Sequence, residues 1–423
     1  MIGKMIRSMT LIGLAFSSLF LSVSCAPAAT PAPAAPTATA TPKPATTPAT
    51  TPKPATTTPA ATPKPATTTP AATLKPAGTT SAFSQAEWDN TVAAAKKEGA
   101  LVLYSPAAAD VLREVTRAFK DKYGLDIEVA SMKANEIPVK LLAERRAGLF
   151  NADIQAGGGV SQMFNDLLPA KVLDPVKPLL VLPEVVDTKL WYNNEIPWVD
   201  NAKMYVGNPI LGPEYKLYIN TNLVKPGAIK SYNDLLDPKW KGQFMLSNAF
   251  IYPTAFAQLM QIMGPDYLKK LAQTQPIVVD DEGQGANWLA QGKYSVYLTN
   301  RVDAIGQMIT VGTPISKVVP QEGVFLAGGA MYQALYNKAP HPNAAKVFLN
   351  WWMSKDGATL LSRAVSMQSA RLDAPTDFLP PDALRDPSVK YLNAETEDFR
   401  GAQNVAAKKL AAELFGPDGR GLR

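Results

Sequence analysis

From residue 84 onward, apolar positions follow two alternating rhythms: short continuous runs, and longer stretches where they recur every three or four residues. Ser84-Gln85-Ala86-Glu87 is a capping box, with Phe83 and Trp88 placed as a hydrophobic staple. The helix it opens runs to about residue 97 and stops at Gly99. Residues 100–104 read as a buried strand ending at Ser105, and a helix over 107–123 follows, closed by Gly124. A second strand, 125–130, leads to a helix over 136–148 with Pro138 near its first turn. A third strand, 152–155, runs into Gly157-Gly158-Gly159 and a helix to about residue 168. Strands alternating with helices predict parallel sheets with helices on both faces.

The stretch 215–248 reads as strand, turn, short helix, turn, strand. Residues 216–220 alternate polar and apolar, with Tyr and Ile favoured in strands. Pro226-Gly227 breaks the chain, Ser231 caps a short helix over 232–236, and Asp237-Pro238 ends it. Lys241-Gly242 turns into a strand over 243–246. Beyond it the pattern predicts helices at 253–263, 265–274, 281–291 and 301–311, with strands at 277–279 and 294–298. Residues 324–326 and 330–335 are extended, 372–387 is loop-like, and a final helix spans roughly 395–415. Trp351 and Trp352 fall on one late helix, where adjacent positions are not expected to face inward together.

The first 80 residues differ in kind. Lys4 and Arg7 precede an apolar run over 11–23, which reads as a secretory signal over 1–24 and is short for a membrane span. The only cysteine, Cys25, follows Leu21-Ser22-Val23-Ser24. Residues 26–80 are Pro, Thr and Ala, with TPKPATT beginning at Thr41, Thr51 and Thr62 and a decayed copy at Thr73. Such a segment cannot bury enough apolar area to fold. In polyproline II, at about 3.1 Å per residue, it would reach on the order of 100 Å.

The chain has 423 residues and a net charge of +6. Residues 1–80 hold six basic residues and no acidic one, which leaves 42 − 6 = 36 basic against 36 acidic residues in the body. A neutral body gives no argument for nucleic acid. With one cysteine there is no disulfide and no Cys-based metal site.

Three stretches carry a family resemblance. "YINTNLV…SYNDLLDPKWKGQFMLS", and above all Asp237-Pro238-Lys239-Trp240-Lys241-Gly242, resembles extracellular solute-binding proteins of ABC importers, of the ferric-iron and small-anion types. "LVLYSPA…AFKDKYGLDIEVA…KLLAERRAGLFNADIQAGG" is similar to the opening lobe of the same proteins, and "NKAPHPNAAKVFLNWWMSKDGATLL" to their late helical pair. Together these cover most of residues 84–365. The resemblance implies an α/β fold of the type II periplasmic-binding-protein kind, with two doubly wound lobes joined by a hinge. Lobe 1 is expected over 81–207 plus 322–365 and lobe 2 over 208–321 plus 366–423. The hinge is crossed at least twice, near 205–220 and 318–326. The position of Cys25 resembles a lipobox, with Ser22 where Leu is usual, which implies a lipid-anchored monomer at the outer face of the cell membrane beside an ABC permease.

In open α/β sheets ligands bind beyond the carboxyl ends of strands and against helix N-termini. The segments with such ends supply Ser105, Asn135, Glu136, Gly158, Ser247, Asn300 and Arg301 as candidate ligand-binding residues. Ser105 serves equally as a helix cap, the glycines as a tight turn, and Glu136 as a first-turn charge. Asp280-Asp281-Glu282 reads as a solvated helix start rather than a metal site. Tyr104, Tyr252 and Tyr332 are the aromatics placed to stack on an organic ligand. Ferric-binding members usually carry adjacent tyrosines after the strand matching 296–298; here stands Thr299-Asn300-Arg301. The only histidine, His341, lies between Pro340 and Pro342. No metal or cofactor is therefore expected, and Arg301 offers a guanidinium fork to a small organic anion or oxyanion.

An enzyme is the competing class. The sequence has no His-Glu-x-x-His, no Gly-x-Ser-x-Gly and, in the body, no Ser-x-x-Lys. Gly285 to Lys293 has six residues between its glycines where a phosphate loop has four. A ferric-binding member of the same family and a ligand sensor remain alternatives to anion transport.

Overall fold

The computed structural model describes residues 83–300 and 302–418. Helix α1 (Gln85–Glu98) starts where the Ser84 side chain accepts from the Glu87 amide, and it ends at Gly99 with φ +95°. Strand β1 (Ala100–Ser105), α2 (Ala109–Tyr123), β2 (Asp126–Ser131), α3 (Glu136–Arg146) and β3 (Ile154–Gly157) follow in the expected alternation. The next helix is α4 (Val160–Gln162), continued by a π turn over Met163–Leu167. After it come β4 (Leu173–Asp174), α5 (Pro183–Val186), β5 (Val206–Gly207), β6 (Gly212–Glu214) and β7 (Leu217–Asn220).

Ser231 and Asp234 then form a full capping box around a 3-10 turn, Tyr232–Leu236. Beyond it lie β8 (Phe244–Ser247), α6 (Pro253–Met263), α7 (Pro265–Gln273), β9 (Ile277–Val279) and α8 (Glu282–Ala290). The chain continues through β10 (Val296–Leu298), α9 (Val302–Thr310), β11 (Ile315–Lys317), β12 (Val324–Ala327) and β13 (Tyr332–Tyr336). It closes with α10 (Pro342–Met353), α11 (Lys355–Val365), β14 (Tyr391–Asn393), a π turn over Phe399–Gln403 and α12 (Asn404–Phe415).

Two large sheets organise two lobes. The first has the order β2-β1-β3-β13-β4, with β5 also on β13. Its β1, β2 and β3 run parallel and β13 enters antiparallel at the centre. The second has the order β11-β7-β10-β8-β9, parallel through β10, β8 and β9, with β7 antiparallel. A third, small sheet β14-β12-β6 lies where the chain passes between them. β6 sits on the outward passage, β12 on the return, and β14 on a further passage to α12. That last strand lies just past a stretch dense in Pro and Asp, which hides it from any periodic reading.

Two expectations change on contact with the packing. Trp351 and Trp352 are both buried, at 1% and 2% exposure. Nine of the twelve residues of α10 are buried, because the helix is enclosed on all sides rather than lying on a surface. Trp351 packs 5.3 Å from Phe119, and the Trp352 indole N–H donates to Met331 O at 3.0 Å. Second, the chain just beyond residue 366, expected in lobe 2, packs in lobe 1. Ala370 lies in the core of β1 and α10, and its carbonyl accepts from Tyr192 N at 2.8 Å. Arg371 has no exposed side-chain surface and is held by Asp373 at 2.9 Å and Glu184 at 3.4 Å.

Enclosure of α10 makes both tryptophans structural. Trp351→Ala and Trp352→Ala are each expected to cost about 3–5 kcal/mol, read as a lower urea midpoint with an unchanged slope.

Candidate functional site

A cleft of about 1550 Å³ is lined by residues of both lobes and of the hinge. Lobe 1 contributes Gly159 to Gln162 at the start of α4, and lobe 2 contributes Thr254 at the start of α6, Asn300 and one face of α9. Glu214, Tyr215 and Lys216 come from the hinge crossing, and Arg400 from the π turn before α12. The start of α4 reaches this surface because Gly157 and Gly159 turn the chain at φ +96° and +87°. A Cβ on Gly159 would stand 2.7 Å from Gln155 Nε2, so the turn closes only on glycine.

The cleft floor is a network of buried charge. Lys216 Nζ lies 2.9 Å from Glu214 Oε1, with both side chains almost out of solvent. Gln258 of α6 donates to the other Glu214 oxygen at 3.0 Å. Just past β14, Glu395 accepts from Arg400, from the Tyr332 hydroxyl at 2.6 Å and from Gly328 N at 2.9 Å. Burial alone would raise the Glu214 carboxyl, but the charges of Lys216 and Arg400 and the Gln258 bond outweigh it and hold it below its ordinary value. Burial would likewise depress Arg400, yet Glu395, Tyr332 and Glu214 carry it above the usual range. Tyr332 is pushed up by burial and by Glu395, so its phenol is a donor.

Lys317 at the end of β11 is held differently. Its Nζ stands 4.0 Å from the Tyr215 ring centre and 4.0 Å from Asp382 Oδ2. Burial pulls its pKa down, and Asp382 and Asp386 only partly oppose this. Asp382 belongs to 378–383, which forms another wall of the cleft. Arg363 stacks on Phe378 at 4.2 Å. Arg385 anchors the far end by donating to Leu211 O and Ser369 O.

Of the candidates read from the sequence, Asn300 lines the cleft. Its Oδ1 accepts from Ala255 N at 2.8 Å, and its Nδ2 donates to Tyr252 O and to Glu282, each at 3.2 Å. Gly158 sits one residue outside the lining, against Pro106 and Ala330. Ser105 is fully buried, donates to Ala156 O at 2.7 Å and accepts from Ala107 N, so it serves the backbone. Ser247 donates to the Tyr297 hydroxyl at 3.0 Å behind the sheet end. Asn135 and Glu136 are exposed at the start of α3, where Glu136 accepts from Lys133 N. Arg301 and Cys25 lie outside the described residues. Among the aromatics, Tyr332 lines the cleft, while Tyr104 donates to Glu144 at 2.7 Å.

Glu282 corrects the reading of 280–282 as a solvated helix start: it is 4% exposed. It accepts from Thr299 Oγ1 and from the amide of Asn300, and so fixes the loop that presents Asn300. Lys216, Lys317, Arg400 and the wall 378–383 escaped the sequence reading. Lys216 sits in the strand pattern at 216–220, but no periodic signal marks Arg400 or the wall.

The floor network has two measurable consequences. Lys216→Met leaves Glu214 buried without its partner and is expected to cost about 3–5 kcal/mol in urea unfolding. Glu214, held below its ordinary value of 4.5, stabilises the fold above that pH, and the contribution is lost as pH falls through the folded value. Glu214→Gln is expected to flatten this acid-side loss, followed as the urea midpoint against pH.

A family model described as bacterial extracellular solute-binding protein matches residues 114–390. A search of curated protein sequences finds no match. Among solved structures, Trichodesmium IdiA (FutA) with iron and citrate is 20% identical, with a TM-score of 0.58 over 75% of this chain and 99% of that one. The Bordetella ferric binding protein is 18% identical at a TM-score of 0.59, over 75% and 99%. AfuA of Actinobacillus pleuropneumoniae, with fructose-6-phosphate bound, is 20% identical at 0.51, over 74% and 98%. At these identities the likeness is one of fold. With a family match across more than half its length and two α/β lobes around a cleft, the chain belongs to the bacterial extracellular solute-binding proteins.

Proposed function

We propose that this protein captures a small organic anion or oxyanion between its lobes and presents it to an ABC permease at the outer face of the cell membrane. The observation that carries the reading is the cleft itself, which faces both lobes and the hinge and has the first turns of α4 and α6 on its surface. The helix dipole favours negative charge at such starts, although at α6 Pro253 has no N–H and the Ala255 amide is taken by Asn300. Arg301, which follows the cleft residue Asn300 in sequence, supplies a guanidinium to the same anion in this reading. Lobe 1 is 81–207 plus the segment from 322 to about 373, and lobe 2 is the remainder up to the C-terminus. Closure is driven by contacts that the solute makes with both lobes at once.

Among the described residues no helix is long and apolar enough to cross a membrane. Attachment in this reading comes from Cys25, lipidated after removal of 1–24, with 26–80 as the tether. The ferric alternative needs phenolate ligands. It is disfavoured by Tyr332, whose hydroxyl is donated to Glu395, and by Tyr218, whose hydroxyl donates to Tyr215 O at 3.0 Å.

A thermal-shift screen of phosphate, sulfate, phosphonates, small carboxylates, polyamines and ferric citrate tests the reading. A bound solute at 100 times its Kd adds about 2.7 kcal/mol. At least one anion is expected to raise the midpoint and reduce the radius of gyration in solution scattering. Arg301→Ala is expected to abolish both effects without lowering the unliganded midpoint. A response to polyamines alone would sink the anion reading. Cys25→Ala is expected to move the protein from the membrane fraction to the medium or periplasm; an unchanged membrane fraction would refute lipid attachment.

A further inference from the structure

The charged groups of the cleft are not equally free to meet a solute. Glu214 and Lys216 neutralise each other at 2.9 Å, and Arg400 is taken by Glu395. Lys317 differs. It has no hydrogen-bonded carboxylate among the described residues; Asp382 stands at 4.0 Å, the outer limit of an ion pair. Its other neighbour is the face of Tyr215. A partly desolvated ammonium so loosely held gains most from an incoming anionic group. The Asp382 side chain is nearly half exposed and can yield its place.

The rest of the surface is mixed, with Ser161, Gln162, Thr254 and Gln307 among its polar members, but one part of it is apolar to a degree that a bare oxyanion does not require. Ile309 and Val311 on the α9 side share the cleft with Val365, Met367, Phe378 and Leu379. Phe378 is set in place by Arg363, and Pro380 and Pro381 stiffen the wall that carries it. A volume of about 1550 Å³ has room for a solute of many heavy atoms.

We propose, resting on the reading that the cleft holds an anion, that its solute is an organic carboxylate with an apolar body. Lys317 takes the carboxylate by displacing Asp382, and the body lies between the α9 side and Phe378. The wall 378–383 is then the element that sets specificity: it supplies both the aromatic face and the competing carboxylate.

The test is calorimetric titration of the full chain with phenylacetate, indole-3-acetate and octanoate, beside phosphate, sulfate, ferric citrate and the neutral phenylacetamide. At least one apolar carboxylate is expected to bind, and phenylacetamide to bind at least about tenfold more weakly than phenylacetate. Lys317→Met is expected to weaken the carboxylate about tenfold or more and leave the amide unchanged. Phe378→Ala is expected to weaken it roughly three- to tenfold. Asp382→Asn, at an exposed position that does not endanger folding, is expected to tighten it, because the competitor is gone. Binding of phosphate, sulfate or ferric citrate without any apolar carboxylate overturns this inference and leaves the anion-receptor reading standing. Carboxylate binding indifferent to both Lys317→Met and Asp382→Asn overturns the assignment of Lys317. Failure of every anion in the panel counts against both.

Discussion

Four charges buried between the lobes constrain the rest of the structure. Glu214 ends β6, Glu395 follows β14, and Arg400 opens the way to α12, while Lys216 precedes β7. Each pair costs several kcal/mol per ion to desolvate, and a charge left alone there is not tolerated. The three hinge strands must therefore meet in the one register that brings these residues together: Phe325 opposite Glu214 and Leu326 opposite Asn393. The hydrophobic cores depend on the same register, because β12 sends Leu326 into the core of lobe 1 and Phe325 into that of lobe 2, and a one-residue slip would exchange them. Charge pairing and apolar burial therefore act on the same three strands, and Tyr332 and Gly328, bonded to Glu395, extend the polar part of the tie into β13 and its approach.

That arrangement divides the cleft by role. The floor uses its charges on itself, so its polar atoms are pre-set and do not have to be reorganised when the lobes move. The least committed side chains of the lining lie on its walls, Lys317 over Tyr215 and the segment around Phe378, while Asn300 already bonds to Ala255, Tyr252 and Glu282.

The alternation of strands and helices was legible because it rests on local signals. Ser84, Ser231, Gly99 and Gly124 act within a few residues of themselves, and each stands where its cap or stop was expected. The enclosure of α10 was not legible. A helix buried on all sides has no polar face, and Trp351 beside Trp352 gives no hint of which neighbours will cover them. The site was legible only in outline. Strand ends do surround the cleft, but of the described candidates only Asn300 and, among the aromatics, Tyr332 reach its surface; Ser105 and Ser247 turned to the backbone and to Tyr297. The residues that make the floor are far apart in sequence, and nothing local in Glu214 or Arg400 announces the other.

The stretch between α11 and β14 shows why the wall is the hardest part to read. It has no periodic core face, and it is held instead by arginines that donate to backbone carbonyls. Buried Arg371 donates to Glu184 O and Met353 O while its fork grips Asp373. Arg385, pulled down to about 10 by burial, donates to Leu211 O and Ser369 O and stacks on Tyr192. Carbonyl acceptors are present at every residue, so anchoring of this kind leaves almost no demand on sequence elsewhere in the segment. The residues between the anchors, Phe378 and Asp382 among them, are free to differ without loosening either lobe. The wall thus combines backbone anchoring at its ends with one internal contact, Arg363 over Phe378, and most of its hold asks little of its own sequence.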